Sequence, residues 1–565
     1  MKISRRSMLG MTGVSLAMMG RLWAAEEPNA RGPDLIVVNA NVLTVDPTQP
    51  RAEAFAVRGG RFIAVGSNDE IRALAGRNTQ TQDAQRATVV PGFIDCHNHA
   101  VGNVLLYEVL VGNPFEVEFV TIDSIVGKLA AKARQTPPGC WIEGFFYDDT
   151  KVKDKREVNI HDLDKVSTEH PVAVRHRGGH TTYYNSKAFE LAGIAPDVQN
   201  PPGGTFDRDA HGALNGRVTD RARDIFDKVG KRPEFTEAER RKRDRDGIAH
   251  ISKQFVRYGL TSVHHQGGDL SAIQDVRARG DLLHRVSYEV SGSILDAMIE
   301  NGVKTGFGDE WLKLGATSEH TVDGSFSERT MAISVPYPGN KSGYKGNVTE
   351  TQDVLDAWIL RVHRAGIQVN CHANGDVAID SVLTALERAQ QAYPVPDARP
   401  KITHCTLITD NLLRRIKALG AVPTPFTTYA YYNTDKFHFY GEELMKRCMA
   451  YRSFIDAGIT AAAGSDFSPG PFAPLMGMQG MATRTGWNGE KWGVNQRVSV
   501  AEALQINTLN GAYASREESI KGSITPGKWA DYVVLGGDPL SVSAETIKDI
   551  KILRTVTGGK TVYEA

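Results

Sequence analysis

Two histidines one residue apart, His97 and His99, end the apolar stretch of ATVVPGFIDCHNHA, residues 87–100. On a β-strand, side chains at i and i+2 share a face, so both imidazoles reach one metal ion while Asn98 faces away. A His-x-His pair in a solvated loop is the plain alternative. The preceding Val89-Val90-Pro91-Gly92-Phe93-Ile94 is too apolar for that, and Asp95 and Cys96 complete a polar cluster. Other apolar runs also end in a metal-competent residue: His372 after GIQVNC, His404 after KIT and Asp466 after ITAAAGS. Nitrogen and oxygen donors of this kind suit zinc or a related divalent ion, and a catalytic site keeps one coordination position for water.

Residues so far apart in sequence meet only if the strands that carry them end on one face. The middle of the chain alternates between strand and helix patterns. Thr349 and Gln352 are spaced as a capping box before an apolar stripe of Leu355, Trp358, Ile359 and Val362. The run 366–370 reads as a strand, Ile379, Val382, Leu383 and Leu386 as a second stripe, and Leu412, Leu413, Ile416 and Leu419 as a third that stops at Gly420. Residues 421–424 and 459–463 read as further strands. This alternation predicts an α/β chain with a parallel sheet, and its length predicts closure into a (β/α)8 TIM barrel, whose C-terminal strand ends gather the candidate ligands. An open doubly wound sheet is the competing architecture, and no Gly-x-Gly-x-x-Gly supports its dinucleotide-binding form.

Both ends of the chain read as β. Residues 34–45 and 52–66 form short strands about a Gly59-Gly60 turn, and 522–535 and 550–563 form others about Gly558-Gly559. A small composite β-sandwich built from the two ends is expected, with 26–88 and 516–565 contributing to it and 89–515 forming the barrel. Residues 1–25 read as a twin-arginine signal peptide: Arg5-Arg6, the apolar run Leu9 to Met19, then Ala24-Ala25. That run is too short and Gly-rich for a stable membrane anchor, so the twin-arginine export machinery is an expected partner and the periplasm or the exterior the expected location.

Lys+Arg and Asp+Glu each total 66, which removes the electrostatic case for nucleic acid as a partner. The five cysteines are odd in number, and Cys96, Cys371 and Cys405 each adjoin a histidine of interest, which predicts free thiols there. Cys140 and Cys448 are open to pairing.

The stretches DLIVVNANVLTVD, PGFIDCHNH, RGGHTTYYNSKAFELAGI, TVDGSFSERT, HANGD, GSDFSP and ITPGKWADYVVLGGDPL together resemble the amidohydrolase superfamily, and within it the YtcJ-like metal-dependent hydrolases of amidohydrolase family 3. The resemblance spans nearly all of the chain after residue 25. It implies a distorted (β/α)8 TIM barrel with its composite sandwich, and a metal-activated water that attacks a carbon–nitrogen or carbon–oxygen bond. It implies that His97, His99, His372, His404 and Asp466 occupy metal-ligand positions. Relatives often place a carbamylated lysine four residues before the Asp-Gly; here Glu319 stands before Asp323-Gly324, and its two oxygens can each serve one cation. Lys313, in LKLGA, is the competing bridge.

A bound divalent ion lowers the pKa of water from about 16 toward roughly 7. Asp466 is then the expected general base, returning its proton to the leaving nitrogen. His180 in RHRGGH matches a recurrent histidine of similar proteins, with a role in polarising the substrate carbonyl or touching the metal site. His264-His265 are read as packing behind the site and Asp148-Asp149 as a solvated acidic turn. In the loop 425–440, Tyr429 and Tyr431 are candidates for a substrate pocket, and Arg452 is a helix residue that faces the site in this reading.

The expected activity is hydrolysis of an amide-like C–N bond in a small-molecule substrate, whether N-acyl, N-formyl or cyclic amide, with one or two divalent ions per chain, zinc first among them. Esterase or lactonase action on the same site is the alternative within the enzyme class. A non-catalytic binding or regulatory protein that keeps the barrel is the alternative outside it. Dimers are common among similar proteins, and a homodimer is the oligomer the resemblance allows.

Overall fold

The computed structural model describes residues 32–565, so the twin-arginine segment expected over 1–25 lies outside the described residues. Strands Phe93–Asn98, Leu260–His265, Arg285–Val290 and Leu312–Thr317 pair side by side, all parallel. A second parallel set runs His320–Thr321, Asn370–Ala373, Lys401–His404 and Val422–Thr424. Hydrogen bonds tie the two sets at both borders. On one side Thr317 N–H donates to Gln368 O at 2.9 Å. On the other, the segment 461–467 lies between them: Ala462 N–H donates to Pro423 O at 3.0 Å and Cys96 N–H to Ala463 O at 2.7 Å. This segment carries only isolated parallel bridges, Phe426 to Gly464 and Asn98 to Phe467, rather than the regular strand expected over 459–463.

Helices cover these strands, which explains why the strands read as unbroken apolar runs. Helix Gln352–Arg364 buries Leu355, Ile359 and Val362, and helix Asp376–Ala392 buries Ile379, Val382, Leu383 and Leu386. Helix Asp410–Leu419 starts on Thr409, whose hydroxyl accepts from Leu412 N–H, and ends where Gly420 takes φ +60°, a conformation glycine adopts without a β-carbon clash. The Thr349–Gln352 capping box does not form. The N-cap is Thr351; the Thr349 hydroxyl instead donates to Thr321 O and the Gln352 amide to Asp356 and the Ser381 carbonyl. The strand expected over 366–370 begins only at Asn370.

Residues from both ends of the chain share one six-stranded sheet, ordered Lys560–Glu564, Ile552–Thr557, Tyr532–Leu535, Thr88–Pro91, Asn41–Leu43 and Arg51–Ala52. A four-stranded sheet of Leu35–Val38, Ala54–Arg58, Arg61–Gly66 and Gln80–Asp83 packs on it through Val37, Phe55, Phe62, Val89, Tyr532 and Val556. Phe55 meets Phe62 and Tyr532 edge-on, with ring centroids 5.3 and 5.1 Å apart.

Another six-stranded sheet was not legible in the sequence. It runs from Val109–Leu110 through Ile142–Tyr147, Val172–His176, Thr181–Tyr184 and Leu214–Asp220 to Gly204–Arg208, inside the region expected to be barrel alone. Its strands are short, and their apolar pattern is broken by Arg175 and Arg217. All five cysteines are free and buried, so Cys140 and Cys448 do not pair. Among the described residues no helix is long and apolar enough to cross a membrane.

Candidate active site

Six side chains meet where the parallel strands end. His97 Nε2 lies 3.3 Å from an oxygen of Glu319 and 3.3 Å from one of Asp466, and His99 Nε2 is 2.9 Å from Asp466. His372 Nδ1 and His404 Nε2 stand 3.3 and 3.4 Å from Glu319 Oε2, and 3.0 Å from each other. His404 and Asp466 have φ of +69° and +53°, a region non-glycine residues seldom occupy, so the strand ends are bent to aim these side chains inward.

These residues fit a divalent cation. Both ring nitrogens of His97 and Oε2 of Glu319 are buried without a hydrogen-bond partner, an arrangement that costs free energy unless another group satisfies them. Among these six residues, donor atoms within 4.8 Å of one another form three sets: His97, His99 and Glu319; His97, His404 and Asp466; Glu319, His372 and His404. Glu319 belongs to two sets and turns its oxygens different ways, Oε2 to His97, His372 and His404, and Oε1 to His99 at 3.7 Å and to the Gln266 amide at 2.7 Å. Burial alone would raise the Glu319 carboxyl, but the imidazoles of His97, His372 and His404 hold it well below the usual carboxylate range.

A set of buried groups holds the candidate ligands in place. Asp95 accepts from Ser465 N–H at 2.9 Å, from the Ser465 hydroxyl at 2.6 Å and from the Asn98 amide at 3.0 Å, locking the His97 strand to the segment that carries Asp466. Glu289 lies 3.5 Å from His97 Nδ1 and is paired with Lys401, whose Nζ also donates to Cys96 O at 2.8 Å. Asp323 accepts the backbone N–H groups of Ala332, Asn374 and Gly375 and lies 3.6 Å from His372, with burial pushing its carboxyl up to about 6. Sequence reading missed Glu289, Lys401 and Ser465. Glu289, one residue from the end of strand Arg285–Val290, and Ser465, directly before Asp466, were the available signals; Lys401, at the start of its strand, gave none.

The extra sheet brings His180 to the same place. His180 lines a cavity of about 440 Å³ with His99, Glu319, His372, His404 and Asp466, and its ring centroid is 5.0 Å from that of His372. Its Nδ1 is 2.8 Å from Asp220, a partner the sequence did not suggest. Buried Arg177 straps this sheet to the loop beyond Asp466 by donating to Ser468 O at 2.8 Å and to Asn113 O at 3.2 Å.

Several expected residues are placed elsewhere. Tyr429 is fully buried and stacks on Phe426 at 3.7 Å, which in turn stacks on His404; it backs a candidate ligand and is not in the cavity wall. Tyr431 lies under the Lys548 ammonium, away from the cavity. Arg452 is held by Asp456 and Glu502 at 2.9 and 3.0 Å and does not face the site. Lys313 pairs with Glu517 at 2.8 Å and donates to Ser515 O, so its Nζ is committed outside the ligand cluster. His265 pairs with His284 at 2.8 Å, and burial pulls it down to about 4. His264 is likewise buried, with Nε2 unpartnered. Asp148 and Asp149 are not a solvated turn: both side chains are buried, with Lys436 2.9 and 3.4 Å away and Arg329 2.6 Å from Asp149.

Residues 80–563 match the model of the amidohydrolase family. The chain is 27% identical over 550 residues to N-substituted formamide deformylase of Arthrobacter pascens, covering 94% of this chain and 98% of that one. It is 26% identical over 534 residues to the Bacillus subtilis (strain 168) protein named as the amidohydrolase YtcJ, covering 91% and 96%. A crystal structure of an uncharacterized metal-dependent hydrolase from Pyrococcus horikoshii OT3 superposes with a TM-score of 0.68 at 21% identity, over 90% of this chain and 99% of that chain.

Proposed function

The chain belongs to the amidohydrolase family, and from that premise we propose that it removes an N-formyl or related N-acyl group from a small-molecule amide. It is a metal-dependent hydrolase of carbon–nitrogen bonds other than peptide bonds. The convergence of His97, His99, Glu319, His372, His404 and Asp466 on buried donor atoms without partners carries this reading. The deformylase relative favours the formamide class. Nitrogen and carboxylate donors favour zinc, and the two-way orientation of Glu319 favours two ions over one.

When bound, such a cation supplies a water nucleophile at neutral pH and polarises the substrate carbonyl. The chain's own residues do the rest. Asp466, 2.9 Å from His99 and on the cavity wall, takes the proton that water gives up and returns it to the leaving nitrogen. His180 presents to the substrate the ring nitrogen not engaged by Asp220. Thr321 lines the same cavity with its hydroxyl, and Thr349 and Ser468 line it with hydroxyl oxygens whose hydrogens go to Thr321 O and Arg177 O.

The same proposal extends to architecture and location. The hydrogen bonds that join the two parallel sets at both borders support closure into an eight-stave (β/α)8 barrel within 89–515, with Leu312–Thr317 and His320–Thr321 counted as one interrupted stave and 461–467 as the eighth. The shared sheet and the core beneath it support a composite β-sandwich drawn from both ends of the described chain, with the N-terminal contribution running through Pro91. The Arg5-Arg6 leader over 1–25 supports export through the twin-arginine machinery to the periplasm or beyond, and a homodimer is proposed for the mature chain.

Turnover of the mature chain on N-substituted formamides, other N-acyl amides, cyclic amides and esters, with and without a chelator, tests the reading. Chelator-sensitive release of amine or formate is expected, with a loss of about 10²–10⁴-fold in D466N. Amide turnover that survives both complete metal removal and D466N overturns it; ester-only turnover moves the activity to esterase or lactonase.

A further inference from the structure

Resting on the reading of His180 as a residue that meets substrate, we infer that Asp220 is its positioning residue. Asp220 fixes which ring nitrogen of His180 faces the cavity. The pairing is set by sheet register. Strands Thr181–Tyr184 and Leu214–Asp220 run antiparallel with Thr181 opposite Thr219, and Asp220 N–H donates to His180 O at 2.7 Å. The two residues are therefore cross-strand neighbours at the end of the sheet nearest the ligand cluster.

Their side chains meet as well, with His180 Nδ1 2.8 Å from Asp220 Oδ1. A carboxylate only accepts, so the hydrogen in this contact sits on Nδ1, and Nε2 is the nitrogen left for the cavity that His180 lines. Asp220 can hold this geometry because its own freedom is spent elsewhere. Its side chain is 2% exposed, and its other oxygen accepts from the Asn347 amide at 2.6 Å. Its backbone is at φ +45° and ψ −130°, a conformation that a β-carbon disfavours and that persists only where surrounding contacts enforce it.

The main chain of His180 is fixed too. Glu328 Oε1 accepts His180 N–H at 3.0 Å, and a β-carbon at Gly178 would come within 2.0 Å of that same oxygen, so a glycine there keeps the approach open. With the backbone held by Glu328 and the ring by Asp220, only rotation about the His180 side chain is left to control, and the Nδ1 contact controls it.

The test is a double-mutant cycle on the metal-loaded full chain, using whichever amide proves to be a substrate, with metal content and melting temperature measured on every variant. In D220N, kcat is expected to fall about 10–100-fold while KM and metal content stay within about twofold. In an H180A background, D220N should cost nothing further, because a residue acting only through His180 has no effect once His180 is gone. Nitrogen-15 spectra of histidine-labelled, substrate-free protein should place the His180 hydrogen on Nδ1 in the wild type and lose that signature in D220N. Collapse of kcat in H180A with full activity in D220N overturns the Asp220 inference alone, as does a D220N loss that persists undiminished in H180A. Full activity in H180A overturns the His180 reading on which it stands. N347A, which removes the other partner of the carboxylate, carries the same cycle with a smaller loss if D220N fails to fold.

Discussion

Replacing Glu319 by glutamine asks whether this carboxylate bridges. The substitution preserves volume, and the surroundings dictate how the new amide lies. The Gln266 carbonyl accepts Glu319 N–H at 2.9 Å, which leaves the Gln266 amide facing Glu319 Oε1 at 2.7 Å. In E319Q the amide oxygen stays at that position, and the NH2 group takes the place of Oε2, 3.3 to 3.4 Å from His97, His372 and His404. A donor then occupies the point shared by two of the three candidate ligand sets. Loss of a group that only hydrogen-bonds to a metal ligand typically costs about 10–100-fold in metal affinity, so loss of a shared anionic ligand should cost at least about 100-fold, or about 2.8 kcal/mol. Elemental analysis after equilibration with limiting zinc, together with calorimetric titration, reads this directly. Metal content should drop by about one ion per chain or the affinity by at least that factor, with turnover falling in step. Unaltered stoichiometry, affinity and turnover would refute the bridging role.

K313M should leave metal content unchanged, since Lys313 Nζ is spent on Glu517 and Ser515; a loss of one ion on elemental analysis would restore it as the bridge. K401M leaves Glu289 as a buried charge with only His97 and a long Asn370 amide contact at 3.5 Å beside it, and should cost about 3–5 kcal/mol in denaturant unfolding; a cost below about 1 kcal/mol would mean that Glu289 finds another counter-charge. Acid stability should depend on Glu517. Burial works against its charge, but Lys521 and Lys313 hold the carboxyl down at about 2, whereas Lys313, buried beside one carboxylate, is pulled down to about 8. A depressed carboxylate contributes stability that is present above its unfolded pKa of about 4.3 and is lost as pH falls through its folded value; for Glu517 that is roughly 3 kcal/mol. Unfolding curves from pH 5 to pH 2 should therefore flatten in E517Q, and an unchanged acid slope would refute the assignment.

The elements legible in the sequence are those governed by local pattern. Stripes at helical spacing located the helices around Leu355, Ile379 and Leu412, and Gly420 marked a helix end that its φ of +60° requires. The Gly59-Gly60 and Gly558-Gly559 turns were legible for the same reason, because glycine accepts the positive φ that tight turns demand. The Thr349–Gln352 pair misled, since spacing alone does not say whether a hydroxyl will find a closer partner, and Thr349 finds Thr321.

Residue chemistry by itself pointed to His97, His99, His372, His404 and Asp466, since histidines and carboxylates that end apolar strands are expensive to bury for any purpose but binding or catalysis, whereas Glu319 came only from the resemblance. Tertiary structure alone decided how those donors divide. The split of Glu319 between His99 on one side and His97, His372 and His404 on the other depends on strand ends converging within a few ångströms, and sequence separation carries no information about that. Likewise the partners of buried charges were decided only in three dimensions. Asp220 reaches His180 across a sheet register, Lys401 reaches Glu289 across the interior, and Lys436 covers Asp148, because a charge removed from water must meet whichever counter-charge or hydrogen-bond partner the packed chain brings near it.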